Sequence, residues 1–255
     1  MGRALIAAIA ETDDMQLAGA FERAGHADIG KDAGVLAGLG TINVRVSDNA
    51  KRALQGAHAV LDFTTPAASV ELTEIASATG IVDVIGTTGL SPSDMTRLRA
   101  AGQKTVIVQS GNMSLAVNLM AAIVREAAKV LPNYDVEILE LHHRMKVDAP
   151  SGTALLLGEA AAKGRGVSLN DKKVRAREGQ TGARADGAIG FASLRGGTVV
   201  GEHTVVLAGP GERLEFTHRA EERLIFARGA LAAARWGQGK SPGLYSMADV
   251  LGLPA

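Results

Sequence analysis

The sequence predicts an α/β fold: a doubly wound parallel sheet, followed by a second α+β domain whose sheet is mostly antiparallel or mixed. Up to about residue 113, short apolar segments alternate with helical patterns, which is typical of parallel strands joined by helices. Farther along, three strand patterns are separated by glycine-rich turns with no helix between them, which indicates antiparallel pairing. The 255 residues include 31 glycines and only 3% aromatic residues, a composition that fits many tight turns.

Four apolar segments of the first half are predicted strands: QLAGAF, HAVLDFT, IVDVIG and TVIVQS. Helices are expected over residues 66–78 and 92–101, and the second begins after Ser91 with Asp94 three residues later, the spacing of a capping box. In such sheets, ligands bind beyond the carboxyl ends of the strands. The residues at these ends are Glu22 and Arg23; Asp62, Phe63, Thr64 and Thr65; Gly86, Thr87, Thr88 and Gly89; and Ser110, Gly111, Asn112 and Met113. Four polar or glycine-rich strand ends in succession predict a ligand site.

The second half begins with a long apolar helix over residues 115–131 and a strand over 136–141. Another helix is expected from about Ser151, and a last one over 223–236. The C-terminal tail is expected to return to the first domain.

The predicted domains comprise residues 1–113 with 224–255, and residues 114–223. The basic stretch 172–184 is interleaved with glycine, so a solvated connection is favoured over a mobile lid.

Charge and composition narrow the class of ligand. Lys plus Arg and Asp plus Glu are both 27, so no net field favours nucleic acid or an anionic membrane surface. A small neutral or anionic ligand is the better expectation. The absence of cysteine excludes disulfides and thiolate metal sites, and no apolar run reaches the roughly 18 residues of a membrane span. The N-terminal apolar run is too short for a signal peptide, and we expect a cytoplasmic protein.

The segment ELHHRMKVDAPSGTALLLGE combines histidines with a lysine just before a predicted helix. His142 and His143 end an apolar strand and should leave it on opposite faces. A zinc site is disfavoured because the chain has neither an H-x-x-x-H pair nor cysteine. Purely structural histidines would not explain Lys146. A histidine with a lysine provides a proton donor near neutral pH.

Pro150, Ser151, Gly152 and Thr153 have the composition of a helix start, which leaves backbone N–H groups at a positive dipole end. Together with a histidine and a lysine, such a helix start predicts a receptor for a carboxylate.

Glu22 and Arg23 follow a predicted strand where dinucleotide-binding folds place an acidic residue on the ribose hydroxyls and an arginine on a 2′-phosphate. Having both indicates that NADH and NADPH are accepted, although the dipeptide alone favours an ordinary surface ion pair. Gly86, Thr87 and Thr88 permit close approach of a ligand, or form an ordinary βα turn.

The segment ELHHRMKVDAPSGTA closely resembles the signature of the dihydrodipicolinate reductase family of lysine and diaminopimelate biosynthesis. The likeness extends along nearly the whole chain, since further segments stand in the family's order: FER, LDFTTP, VIGTTG, GNMSLAVN, REGQTGAR, IGFASLRGG, VGEHT and FARGALAAARW.

The resemblance implies a Rossmann-like dinucleotide-binding domain and a substrate-binding domain whose sheet builds a homotetramer. NADPH or NADH would give a hydride to a cyclic conjugated imine, formed from a small dicarboxylate when its hydroxyl leaves. No metal, nucleic acid or membrane is implied. His142 and Lys146 match the family's proton donors, and His143 matches a contact to a substrate carboxylate. Gly152 and Thr153 match helix-start amides that hold a carboxylate.

The resemblance also implies the residues of the cofactor site. Glu22 and Arg23 match the adenosine-ribose site. The loops near the nicotinamide are matched by Gly86, Thr87, Thr88, Ser110, Gly111, Asn112 and Met113.

One departure from the family concerns the start of the chain. The family begins with an apolar strand and a G-x-x-G-x-M-G turn. Met1 and Gly2 of this sequence correspond to the last two residues of that turn. Because Met1 matches a residue of that turn, we include it in the predicted cofactor site. We expect the functional protein to carry an upstream strand and glycine turn. Two alternatives remain: a related reductase of another small amino-dicarboxylate, and a cofactor-impaired binding or structural subunit.

Overall fold

The computed structural model of the chain describes residues 1–253 and divides into two compact units. The first unit comprises Met1–Met113 with Arg223–Gly252, and the second is built from Ser114–Glu222.

The elements alternate between helix and strand through most of the chain. The helices are α1 (Gly2–Ala10), α2 (Ala33–Ala37), α3 (Ala50–Ala53), α4 (Pro66–Thr79), α5 (Pro92–Ala101), α6 (Leu115–Val130), α7 (Gly152–Gly164), α8 (Leu169–Lys172), α9 (Leu224–Gly237) and α10 (Met247–Val250). The strands are β1 (Ala20–Phe21), β2 (Val46–Ser47), β3 (Ala59–Asp62), β4 (Val82–Ile85), β5 (Val106–Gln109), β6 (Asp135–His142), β7 (Lys173–Val174), β8 (Ile189–Arg195), β9 (Gly201–Gly209), β10 (Glu212–Ala220) and β11 (Gly243–Tyr245).

The first unit contains the predicted parallel sheet, with strands in the order β11-β5-β4-β3, and a separate parallel pair, β1-β2. Strand β4 is buried on both faces: Val82 and Val84 belong to the apolar cluster that includes α9, while Ile85 belongs to the cluster with residues of α4 and α5. Helices therefore cover both sides of the sheet, which confirms the doubly wound fold. The tail returns to this sheet as β11, beside β5.

The first predicted strand, residues 16–21, is wrong in length. Only Ala20 and Phe21 form a ladder, because β2, their partner, is itself two residues long. Gly19 lies so close to the Ala53 carbonyl oxygen that a side chain there would overlap it. The short elements α2, α3 and β2 were not predicted. The capping box of α5 is confirmed: the Ser91 hydroxyl accepts from the Asp94 N–H, and the Asp94 carboxylate accepts from the Ser91 N–H.

The second unit holds a five-stranded mixed sheet in the order β10-β9-β6-β8-β7. Its central strand β6 runs parallel to β8 and antiparallel to β9, which confirms the predicted mixed sheet. Alternate residues of β6 are buried, and Val136 and Ile138 pack in one cluster with residues of α6 and α7. We call the side of the sheet that these two residues face the helix face and the opposite side the open face. Because strand side chains alternate, Glu140 and His142 also lie on the helix face.

The basic stretch 172–184 is more structured than the predicted solvated connection. Lys173 and Val174 form β7, and Arg177 donates two hydrogen bonds of 2.8 Å to the Glu137 carboxylate. Arg184 adds a bond of 2.9 Å to the same carboxylate, which ties the loop to the sheet.

Candidate active site

The predicted cofactor residues Glu22 and Arg23 directly follow β1 and are both exposed. The Arg23 N–H donates to the Glu22 carboxylate at 3.0 Å. A carboxylate and a guanidinium thus stand at the carboxyl end of a parallel strand, as the sequence predicted.

A buried aspartate ties together the ends of β3 and β4. The Asp62 Oδ1 atom accepts from the Thr64 N–H at 3.0 Å, the Thr64 hydroxyl at 2.5 Å and the Thr87 hydroxyl at 3.3 Å. The neighbouring Gly86 has a packing reason to be glycine, because a side chain there would overlap the ring of Phe63. Thr87 is buried with its hydroxyl in this network, whereas Thr88 is exposed.

The loop after β5 has a fixed backbone. The Ser110 hydroxyl donates to the Asn112 carbonyl at 2.7 Å, and the Ser110 N–H donates to the Ile85 carbonyl at 3.1 Å. Gly111 is exposed, and a Cβ there would meet no atom within 4 Å, so this loop offers an open approach. Met113 is buried and lies against α9, where a side chain on Gly229 would overlap the Met113 carbonyl oxygen.

Met1, the last predicted cofactor residue, precedes α1 and is 36% exposed. Its carbonyl accepts from the Leu5 N–H at 3.0 Å, so it begins the helix without a capping side chain.

In the second unit, the motif histidine His142 ends β6 in a buried network. Its Nδ1 atom lies 2.6 Å from Oε2 of Glu140. Arg195, from β8, donates two hydrogen bonds to the same carboxylate, at 2.7 Å and 2.9 Å. The Ser151 N–H donates to it at 3.2 Å. Burial acts to raise the pKa of Glu140, but hydrogen bonds from Arg195 and other donors outweigh it and lower the pKa to about 2.

A second histidine lies beside His142. The ring of His203, on β9, makes an edge contact with it at a centroid distance of 5.1 Å. Its Nε2 atom is 2.9 Å from the Ser151 hydroxyl. Burial, aided by the charge of His142, lowers the pKa of His203 to about 3, so His203 is neutral at physiological pH.

Lys146 lies in the turn that follows β6. Its ammonium donates to the Asp148 carboxylate at 2.7 Å, and this hydrogen bond lowers the pKa of Asp148. Arg195 donates to the Asp148 carbonyl at 2.7 Å, so the arginine that holds Glu140 also holds the turn that carries Lys146.

His143 differs from His142 in burial, consistent with the predicted divergence of the two side chains. It is half-buried, and its N–H donates to the Val199 carbonyl at 2.8 Å. Gly152 and Thr153 are the first residues of α7, and the predicted helix start is confirmed: the Ser151 hydroxyl caps it by accepting from the Ala154 N–H at 3.1 Å.

The network around His142 includes three residues that the sequence did not place in the site, Glu140, Arg195 and His203, and Ser151, which was predicted only as part of the helix start. The signal for them was Glu140, an acidic residue two positions before a histidine in one strand, a spacing that places both side chains on the same face. Within residues 1–253, no group of three or more His, Asp or Glu side chains is arranged to hold a metal ion.

Comparison with known proteins gives a consistent family. The N-terminal dihydrodipicolinate reductase domain matches residues 1–113, and the C-terminal domain of the same family matches residues 116–251. The 4-hydroxy-tetrahydrodipicolinate reductases of Beijerinckia indica and Methylocella silvestris are 59% and 60% identical over 254 residues. These alignments cover 99% of this chain and 94% and 93% of the two relatives.

The fold is also that of a solved structure. A dipicolinate-bound dihydrodipicolinate reductase from Paenisporosarcina sp. TG-14 superposes with a TM-score of 0.75 at 23% identity, covering 97% of this chain and 94% of that one. The chain therefore belongs to the dihydrodipicolinate reductase family and is an oxidoreductase.

Proposed function

We propose that the chain reduces 4-hydroxy-tetrahydrodipicolinate to tetrahydrodipicolinate, with NADPH or NADH as hydride donor, in lysine and diaminopimelate biosynthesis. Family membership along nearly the whole chain supports this reaction. The observation that carries the site assignment is the buried cluster at the end of β6, where His142 is held by Glu140 beside a lysine and a helix start.

The first unit is the proposed cofactor domain, and its residues fit a dinucleotide. Glu22 offers acceptors for ribose hydroxyls, Arg23 a guanidinium for a 2′-phosphate, and Gly111 an open backbone approach. We include in this site the neighbouring residues Met1, Gly86, Thr87, Thr88, Ser110, Asn112 and Met113. The bound cofactor supplies the hydride; the chain supplies orientation and the proton.

The second unit is the proposed substrate domain. A dicarboxylate needs positive charge and hydrogen-bond donors: Lys146 provides the charge, and His143 and the first amides of α7 at Gly152 and Thr153 provide donors. His142 and Lys146 deliver the proton. The hydroxyl leaves as water to give the conjugated imine, and the hydride and the proton together account for the two hydrogens that this imine gains.

Assembly and location complete the proposal. The open face of the sheet in the second unit carries Leu139 and Leu194, which are 38% and 54% exposed. Apolar side chains on an open sheet face are typical of a surface that another subunit covers, and we place the interface of a homotetramer here. In residues 1–253, no helix is long and apolar enough to cross a membrane. A cytoplasmic location suits the proposed NAD(P)H chemistry.

A spectrophotometric assay tests the reaction itself. We expect NADPH absorbance to fall when the purified protein is given freshly generated 4-hydroxy-tetrahydrodipicolinate, and to stay constant without the substrate. Oxidation with a different amino-dicarboxylate alone would indicate a related reductase. Absence of both activity and NADPH binding would support a cofactor-impaired subunit.

The assignment of Arg23 predicts a change in cofactor preference. We expect Arg23→Ala to raise the Kd for NADPH at least about 10-fold and to change the Kd for NADH less than about 2-fold, because only NADPH carries the phosphate that a guanidinium can bind. Fluorescence titration measures both constants. Arg97→Ala, which removes another exposed arginine paired with Glu74, is the control and should change neither. Equal losses for the two cofactors would contradict the assignment.

A further inference from the structure

The buried carboxylate of Glu140 has each of its oxygens fixed by two donors. Oε2 accepts from His142 Nδ1 at 2.6 Å and from an Arg195 nitrogen at 2.7 Å. Oε1 accepts from the other terminal Arg195 nitrogen at 2.9 Å and from the Ser151 N–H at 3.2 Å. The three donor groups come from β6, β8 and the start of α7, so the orientation of this carboxylate is set by three elements at once.

The charge of Glu140 determines which nitrogen of His142 carries a hydrogen. With a pKa of about 2, the carboxylate is ionised at physiological pH and can only accept hydrogen bonds. A nitrogen lone pair at 2.6 Å from it would be repelled, so Nδ1 carries the hydrogen. Nε2 is then the nitrogen that gains and loses the catalytic proton.

We propose that Glu140, held by Arg195, is a positioning residue that fixes the ring orientation and tautomer of His142 so that Nε2 delivers the proton. This inference rests on the proposed function, because it assigns Glu140 a role in the same reaction.

The groups around His142 indicate that Glu140 orients the His142 ring and does not simply raise its pKa. The groups that face the ring are Glu140 on its own strand, Arg195 from β8, His203 from β9 and Lys146 from the following turn. Burial is the largest influence and lowers the pKa of His142, while the Glu140 hydrogen bond acts to raise it. Since the charges of Arg195 and Lys146 oppose the effect of Glu140 on the pKa of His142, the carboxylate acts mainly by fixing the orientation of the ring.

Space beside Nε2 is kept open by the first residue of β9. A Cβ on Gly201 would lie 3.0 Å from His142 Nε2, closer than ordinary contact. Glycine at this position therefore leaves room at the nitrogen that the tautomer makes reactive.

The test is Glu140→Gln, with Glu137→Gln as a matched control. A glutamine has one acceptor oxygen and a donor NH₂ group, so in either orientation the NH₂ faces a nitrogen of Arg195 together with the Ser151 N–H or the Nδ1 hydrogen of His142. Glu137 lies on the same strand and also accepts from two arginines, but it faces the open side of the sheet. We expect Glu140→Gln to lower kcat at least about 30-fold with the substrate KM within about 3-fold, since orientation and not substrate binding is lost. Glu137→Gln should keep kcat within about 2-fold.

A spectroscopic measurement tests the tautomer without relying on activity. The chain has six histidines, and a His142→Gln spectrum identifies the ring signals of His142 in protein with ¹⁵N-labelled histidine. In the wild-type protein above pH 7, Nδ1 should be protonated and Nε2 unprotonated; in Glu140→Gln the populations should shift toward the other tautomer. Glu137→Gln should give the wild-type pattern.

The outcomes separate the inference from the proposed function. Wild-type kcat in Glu140→Gln, or a wild-type His142 protonated at Nε2 alone, overturns the role of Glu140. A Glu140→Gln protein that fails to fold leaves the wild-type tautomer measurement as the deciding test. If the wild-type protein does not oxidise NADPH with the substrate, the proposed function fails, while the nitrogen signals still report whether Glu140 sets the tautomer.

Discussion

Replacing either predicted proton donor, as His142→Ala or as Lys146→Ala, is expected to lower kcat at least about 100-fold. General acid catalysis contributes about 100- to 10,000-fold to typical enzymes, so losing one donor removes an effect of that size. The Kd for NADPH should stay nearly normal, because both residues belong to the second unit and the cofactor is assigned to the first. Steady-state kinetics and fluorescence titration measure the two quantities.

A control variant separates loss of the donor from loss of positive charge in general. Lys163, in α7, is exposed and lies in the same unit, so Lys163→Ala should keep kcat within about 2-fold. Full activity in both His142→Ala and Lys146→Ala would contradict the assignment. A fall in one variant alone would identify the single donor.

The pH dependence of kcat/KM tests His142 as the proton donor. A donor must be protonated before the reaction, and burial lowers the pKa of His142 below the ordinary value of about 6.5. If His142 is the donor, kcat/KM should therefore decline as pH rises through a value below about 6.5. A bound dianionic substrate stabilises the protonated ring of His142. The decline of kcat should therefore begin at a higher pH than the decline of kcat/KM. A kcat/KM that stays constant until well above pH 8 would contradict His142 as the donor.

The parts of the fold that could be predicted are those with strong local patterns. Strands β3, β4 and β5 are apolar runs between polar loops, and the Ser91 capping box identifies the start of α5. The elements that the sequence did not predict, among them α2, α3 and β2, are two to five residues long, too short to show a periodicity.

The site shows the same division between local and distant information. His142 and Lys146 stand four residues apart in the chain, so their spacing by itself indicates shared chemistry. Arg195 is 55 residues from Glu140, and the two meet only because β6 pairs with β8. That pairing is a property of the sheet, and neither segment alone predicts it. The bond between Ser151 and His203 likewise spans 52 residues and depends on the pairing of β6 with β9.

Gly229→Ala should destabilise the first unit and weaken cofactor binding together. Gly229 lies inside α9, where replacing glycine by alanine normally stabilises a helix by up to about 1 kcal/mol. Here the added methyl group would overlap the backbone carbonyl oxygen of Met113, so the helix or the loop must shift. Such overpacking typically costs about 1–3 kcal/mol and exceeds the helix gain. For a net cost of about 1–2 kcal/mol, we expect the melting temperature to fall by roughly 2–8 °C, at about 2–4 °C per kcal/mol for a chain of this size.

The displacement of Met113 should also weaken cofactor binding, because Met113 ends the loop that contains Ser110 and Gly111. Ser110 is fixed by its bonds to Asn112 and to the end of β4, so a shift of Met113 has to be absorbed within the few residues between them. We therefore expect the Kd for NADPH to rise at least about 10-fold in Gly229→Ala. Gly111→Ala is the control for stability, because its methyl group would enter open space, and its melting temperature should stay within about 2 °C of wild type. If Gly229→Ala melts at a higher temperature than wild type, as helix propensity alone would give, the loop moves aside freely. If the variant is destabilised but binds NADPH as tightly as wild type, this loop is not part of the cofactor site.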